Sequence, residues 1–128
     1  MNNTGLLLTM IFLHIVDDYY LQGWLASAKQ KAYWQQNAPL PLYKYDYIWA
    51  LLMHSFSWSF VVMFPIFYLL SFEISSIVLI TFIGNIILHA LTDDLKANEF
   101  KINLWIDQLV HMCQIVTTLL LFTGGVFN

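Results

Sequence analysis

The sequence predicts an all-α, polytopic membrane protein with four transmembrane helices in one bundle. Of its 128 residues, 59% are hydrophobic and only 10% are charged, whereas a soluble domain carries about 25% charged residues. Its mean hydropathy is +0.65. Four stretches also approach the roughly 20 apolar residues that a helix needs to cross a bilayer. Other classes are excluded by the same figures. Disorder requires little apolar mass, and a nucleic-acid surface requires a basic excess where this chain has a formal charge of -3. A disulfide scaffold requires more than Cys113, the single cysteine.

The whole chain, 1–128, reads as one such domain, with helices expected at about 5–22, 47–70, 74–92 and 102–123. The first lacks the basic start and small-residue cleavage site of a signal peptide and ends in Asp17 and Asp18, so it is read as a span. A long segment, 23–46, with Pro39 and Pro41, separates it from the second helix. The tight turn at Ser71 to Glu73 makes a hairpin of the second and third helices, and a short charged loop from Asp93 to Lys101 leads to the fourth.

Lys29, Lys31 and Lys44 fall in the first of these connections, and Lys96 and Lys101 in the last. An even number of crossings puts all five on one face, which the positive-inside rule makes cytoplasmic, in a bacterial inner membrane with both termini outside. Tyr19, Tyr20, Trp24, Trp34, Tyr43, Tyr45, Trp49 and Trp105 crowd the same face, where amphipathic rings are favoured.

Ionisable groups inside a span are costly unless paired, wet or metal-bound, so each marks a functional site by default. All four histidines lie in the expected helices, and three have a carboxylate four residues away: His14 with Asp18, His89 with Asp93, and His111 with Asp107. Such pairs share one helical face. Depth agrees as well. At 1.5 Å of rise per residue, His54 lies about 10 Å beyond Tyr47, His111 about 13 Å beyond Ile102 and His14 about 12 Å before Gln22. These polar groups therefore occupy one layer near the lysine face.

Imidazole and carboxylate donors suit a divalent metal, zinc first, with manganese or iron as alternatives. The expected ligands are His14, His54, His89, Asp93 and His111, with Gln22, Asn85 and Gln108 as orienting groups behind them. Asp18 and Asp107 are left as general bases, and Lys29 and Lys96, at the interface, as holders of an anionic headgroup. Asp17 and Asp94, one residue off the site positions, read as solvated. Cys113 and the small residues Ser55, Ser59 and Gly84 read as packing, and Gln114 as an interhelical donor. His14-Ile-Val-Asp-Asp18 and His89-Ala-Leu-Thr-Asp93 both end inward-running helices, a faint repeat that pairs two helical hairpins.

On these residues the chain resembles a family of small bacterial and phage integral membrane proteins of unknown function. The family pattern has a His-x3-Asp-x3-Gln segment, matched by His14, Asp18 and Gln22; a lysine, Lys29; and a second-helix histidine, His54. It continues with a His-x3-Asp-x2-Lys segment, matched by His89, Asp93 and Lys96, and an Asp-Gln-x2-His segment, matched by Asp107, Gln108 and His111. The likeness spans nearly the whole chain. Asp17 and Tyr19 depart from it, standing where the family has small or apolar residues and a phenylalanine. More distantly, the chain is similar to membrane-bound metal-dependent hydrolases.

The leading functional expectation is an intramembrane metal-dependent hydrolase acting on a phosphoester or ester of a lipid or lipid-linked carrier at the cytoplasmic leaflet. Metal-ion or proton transport is the second reading, weakened because no ionisable group lines the outer halves of the helices. The third is a metal-stabilised binding protein, as in exclusion of a second phage. Expected partners are the lipid bilayer, a lipid-like substrate and further copies of the chain, without nucleic acid.

Overall fold

The computed structural model describes residues 2–124, which are helical with short connections and contain no strand among the described residues. Helix α1 spans Asn3–Val16 and runs directly into a π-helical turn, Asp17–Leu21. Two short helices follow, α2 (Leu25–Ala28) and α3 (Lys31–Asn37), then a 3-10 turn at Pro41–Tyr43. Three long helices complete the chain: α4 (Asp46–Leu69), α5 (Ser76–Ala97) and α6 (Leu104–Thr123). Four segments are long and apolar enough to cross a membrane, namely Asn3–Leu21, Pro41–Leu69, Ser76–Ala97 and Leu104–Thr123.

Local chemistry sets the ends. The side chains of Asn2, Ser75 and Asn103 accept from the backbone N–H of Gly5, Val78 and Ile106, capping α1, α5 and α6. Gly23, at φ +50, supplies the left-handed conformation that turns the chain after the π-turn. Helix α4 ends in a Schellman-type turn in which the Phe72 N–H reaches the Phe67 carbonyl at 2.8 Å.

Helix α5 is longer than the sequence pattern suggests. It continues through Asp93 and Lys96 to Ala97, so these two residues stand on its last turns and not in a loop. The connection between the π-turn and α4 is likewise largely helical. Asn98 ties that connection to the end of α5: its side chain accepts from the Lys31 N–H at 2.7 Å and donates to the Lys29 carbonyl at 3.0 Å. Lys31 and Glu99 add an exposed ion pair at 3.1 Å, which raises the lysine's pKa and lowers the glutamate's. Exposed pairs of this kind stabilise little, so the two Asn98 bonds are what hold the segment that carries Lys29.

Helices α1, α4, α5 and α6 touch in a closed order, α1 on α4, α4 on α5, α5 on α6 and α6 on α1. Their shared interior has two chemically distinct parts. Leu6, Met10, Trp58, Val62, Ile66, Ile115 and Leu119 form an apolar cluster, extended by Met63, Phe67 and Val78. The other part, towards the Lys29 end, is ionic. Two sequence readings of packing are corrected. A Cβ on Gly84 would meet nothing within 4 Å, so that glycine does not mark a close helix approach, and Cys113 is exposed on α6.

Candidate metal centre

His14, Asp17, Asp18, His54, His89, Asp93, Asp107 and His111 are all buried. Most of them converge on two adjoining groups. The ligand atoms of Asp18, His54 and His89 lie within 4.8 Å of one another, as do those of His89, Asp93 and His111, with His89 common to both. The His54 and His89 Nε2 atoms are 3.1 Å apart. His54 Nε2 is also 3.3 Å from Asp18 Oδ1 and 3.5 Å from Asp93 Oδ2. Donors about 2.0–2.2 Å from a tetrahedral ion stand about 3.3–3.6 Å from one another, so these separations suit a shared cation.

The surrounding hydrogen bonds decide which ring nitrogens are free. An indole N–H only donates, so the 2.8 Å bond from Trp58 Nε1 makes His14 Nδ1 an acceptor. His14 then carries its proton on Nε2 and donates it to Gln108 Oε1 at 3.1 Å. The Gln108 amide passes the order on, donating to Asp18 Oδ2 and Asp107 Oδ2, each at 3.1 Å. His14, expected as a ligand, thus lies outside both groups with both nitrogens engaged.

His111 is set the opposite way. Gln114 donates to the Asn85 carbonyl at 3.2 Å, Asn85 is anchored to Thr118 Oγ1 at 2.9 Å, and the Gln114 oxygen is left to accept from His111 Nδ1 at 3.1 Å. Nε2 of His111 therefore faces Asp93 Oδ1 at 3.7 Å and Asp107 Oδ1 at 3.5 Å. All three of these atoms are buried without a hydrogen-bond partner. Three buried polar atoms left facing one another are satisfied by a proton shared among them or by a cation held beside His89, Asp93 and His111.

Asp17 corrects the sequence reading most clearly. Expected to be solvated, it is 1% exposed. The π-turn widens the helix at this point, which lets two consecutive carboxylates turn inward where a regular α-helix would separate them. Asp17 Oδ1 accepts from Ser57 at 2.7 Å, and Oδ2 lies 4.0 Å from His54 Nδ1, behind the ring. A carboxylate in that position favours a proton on Nδ1 and leaves Nε2 free to ligate.

The lysines also differ from expectation. Lys29 does not face the interface: its buried amine is 2.6 Å from Asp93 Oδ2. Lys96 pairs with Asp107 Oδ2 at 2.6 Å while remaining 27% exposed. Gln22 donates to the Asp18 carbonyl of its own turn, and Asp94, half-buried, accepts from Asn98 at 2.7 Å away from the cluster. Trp58 stacks on His89 with ring centroids 4.3 Å apart, and His89 on His111 at 4.2 Å, which fixes the ring planes.

Electrostatics narrows the choice further. With all four buried carboxylates ionised, the two amines leave two negative charges to be offset. A low-dielectric interior requires these to be offset by a divalent cation or by two protons. Lys29→Met would add a third uncompensated charge. It is expected to destabilise the protein by about 3–5 kcal/mol, with much of the loss recovered in Lys29→Met/Asp93→Asn, as read by thermal unfolding in detergent. A loss no larger than that from Lys31→Met would refute the buried pair.

A cleft of about 390 Å³, lined by Asp18, Gln22, Lys96 and Gln108 with Tyr19 and Tyr20 at its side, opens onto the cluster. A larger cavity of about 700 Å³ lies among α3 and the 3-10 turn and is lined by none of the buried histidines or aspartates. No known protein-family model, curated protein or solved structure matches the chain.

Proposed function

We propose that the chain is an intramembrane metal-dependent hydrolase that cleaves a phosphoester or ester of a lipid or lipid-linked carrier at the cytoplasmic leaflet of a bacterial inner membrane. The observation that supports this most is the inward convergence of His54, His89 and His111 with Asp18 and Asp93 beside a cleft, within a buried set whose carboxylates outnumber its amines. Those five residues would hold the ion. Zinc suits the mixed nitrogen and oxygen donors, as do manganese and iron. When bound, the metal supplies Lewis acidity that polarises a phosphoryl or carbonyl oxygen.

The chain's own residues supply the rest. Asp107 Oδ1 faces His111 without a hydrogen-bond partner, while its Oδ2 is held by Lys96 and Gln108. Lying outside the two ligand groups, it is the carboxylate best placed to take a proton. Lys96, both paired and partly exposed, faces an anionic head in the cleft. Lys29 keeps Asp93 ionised and oriented.

Transport has less support, because fully buried Met10, Trp58, Val62 and Ile115 pack the interior beside the cluster, and the polar side chains that lead away from His111, those of Gln114, Asn85 and Thr118, are bonded to one another. Purified protein loaded with zinc or manganese should release phosphate or fatty acid from a panel of membrane lipids and lipid-linked carriers. Absence of product throughout the panel, with metal bound, would end the hydrolase reading. The orientation is tested in a Cys113→Ala background. Asn37→Cys should be shielded from an impermeant thiol reagent in intact cells and Glu73→Cys labelled; the reverse pattern would invert the topology.

A further inference from the structure

We propose that the substrate is an amphiphile with an alkyl or isoprenyl chain and a phosphate head, which reaches the centre sideways from the bilayer. Its head enters the cleft over Asp18, and its chain lies in the apolar groove between α1 and α6. The nature of the head rests on the hydrolase reading above; the path does not.

Two adjoining cavities carry this inference. The cleft of about 390 Å³ has the polar wall already described. A second cavity, of about 500 Å³, is bounded by Ile11, Ile15 and Met112 and shares Tyr19, Tyr20 and Gln108 with the first. The shared residues make one surface that passes from charged to apolar. From Tyr19 back to Ile11 the groove follows the chain for about 12 Å at the helical rise, away from the lysine-bearing end. A lipid whose head sits at that end lays its chain in this direction.

Charge complementarity distinguishes this groove from the other apolar ones. The cavity between α4 and α5, lined by Phe56, Phe60, Phe67, Phe72 and Phe82 among others, has no charged residue in its wall. Neither has the one between α5 and α6, at Gly84, Asn85, Val110 and Gln114. A chain in either leaves its head without a counter-charge. In the α1–α6 groove the head meets the Lys96 amine, the cation expected beside Asp18, and the buried Gln22 Oε1, which lacks a donor and accepts from a head-group hydroxyl.

The test uses the full-length protein in nanodiscs with zinc and hexadecyl phosphate carrying a mid-chain diazirine, with crosslinks mapped by mass spectrometry. Labelling is expected to concentrate on Ile11, Ile15 and Met112. Ile15→Trp should reduce it about tenfold by filling the groove, without disturbing the interior, because Ile15 is 42% exposed. Hexadecanol with the same diazirine should label the lipid-facing helices evenly, and inorganic phosphate should not compete. Even labelling by the phosphate probe, or labelling indifferent to Ile15→Trp, would overturn the proposed path. Concentrated labelling without any hydrolysis would instead remove the hydrolase reading and leave the groove in place.

Discussion

Purified His89→Ala protein is expected to lose its divalent metal, with affinity falling more than about 100-fold, while His14→Ala protein keeps it. His89 is the residue common to both ligand groups. His14 is equally buried and equally suggestive in sequence, but its Nδ1 accepts from Trp58 and its Nε2 donates to Gln108. Elemental analysis of detergent-purified protein, after dialysis against a weak chelator, separates the two. His111→Ala serves as a second ligand variant if His89→Ala folds poorly, since His89 lies between Trp58 and His111 in a ring stack. Because the ligands must be deprotonated, metal should also be released on acidification, with proton uptake as the ion leaves. Equal metal loss in His14→Ala and His89→Ala would show that the hydrogen-bond assignment around His14 is wrong.

Asp107→Asn should lower turnover by about 10²–10⁴-fold, the usual contribution of a positioned general base, with bound metal nearly unchanged. The amide keeps the size of the side chain and one acceptor for Lys96 and Gln108. What it lacks is the basic Oδ1 facing His111 Nε2 at 3.5 Å. Asp18→Asn makes the contrast, because Asp18 belongs to a ligand group and its loss should lower metal content and turnover together. Product release under single-turnover conditions, measured beside metal content, distinguishes the two variants. If Asp107→Asn loses metal as Asp18→Asn does, Asp107 is a ligand and the base lies elsewhere.

Much of this arrangement was legible in the sequence, and the parts that were not have identifiable causes. The helices were readable because apolar runs of bilayer length are a strong signal. His89 and His111 were readable because depth and i, i+4 spacing both point inward, and His54 because of its depth alone. Asp17 was not, since one residue's offset excludes it from the shared face of a regular helix. Only the π-turn at Asp17–Leu21 brings it behind His54, and no composition rule announces a π-turn. Lys29 was placed at the interface from its position in a loop. Its long side chain, and the two bonds by which Asn98 holds its segment to α5, carry its amine inward to Asp93. The separation of His14 from the ligands depends on Trp58, forty-four residues away, whose indole N–H fixes the tautomer. Long-range donors of that kind leave no local spacing to read.

The central claim is that a divalent ion lies among His54, His89, His111, Asp18 and Asp93. Anomalous diffraction from crystals of protein purified without chelator, recorded on both sides of the absorption edge of the metal found by elemental analysis, tests it most directly. The expected result is one or two peaks about 2.0–2.3 Å from the Nε2 atoms of these histidines and the facing oxygens of Asp18 and Asp93. The contradicting result is a well-ordered cluster without an anomalous peak, its charge offset by protons on His111 and a carboxylate.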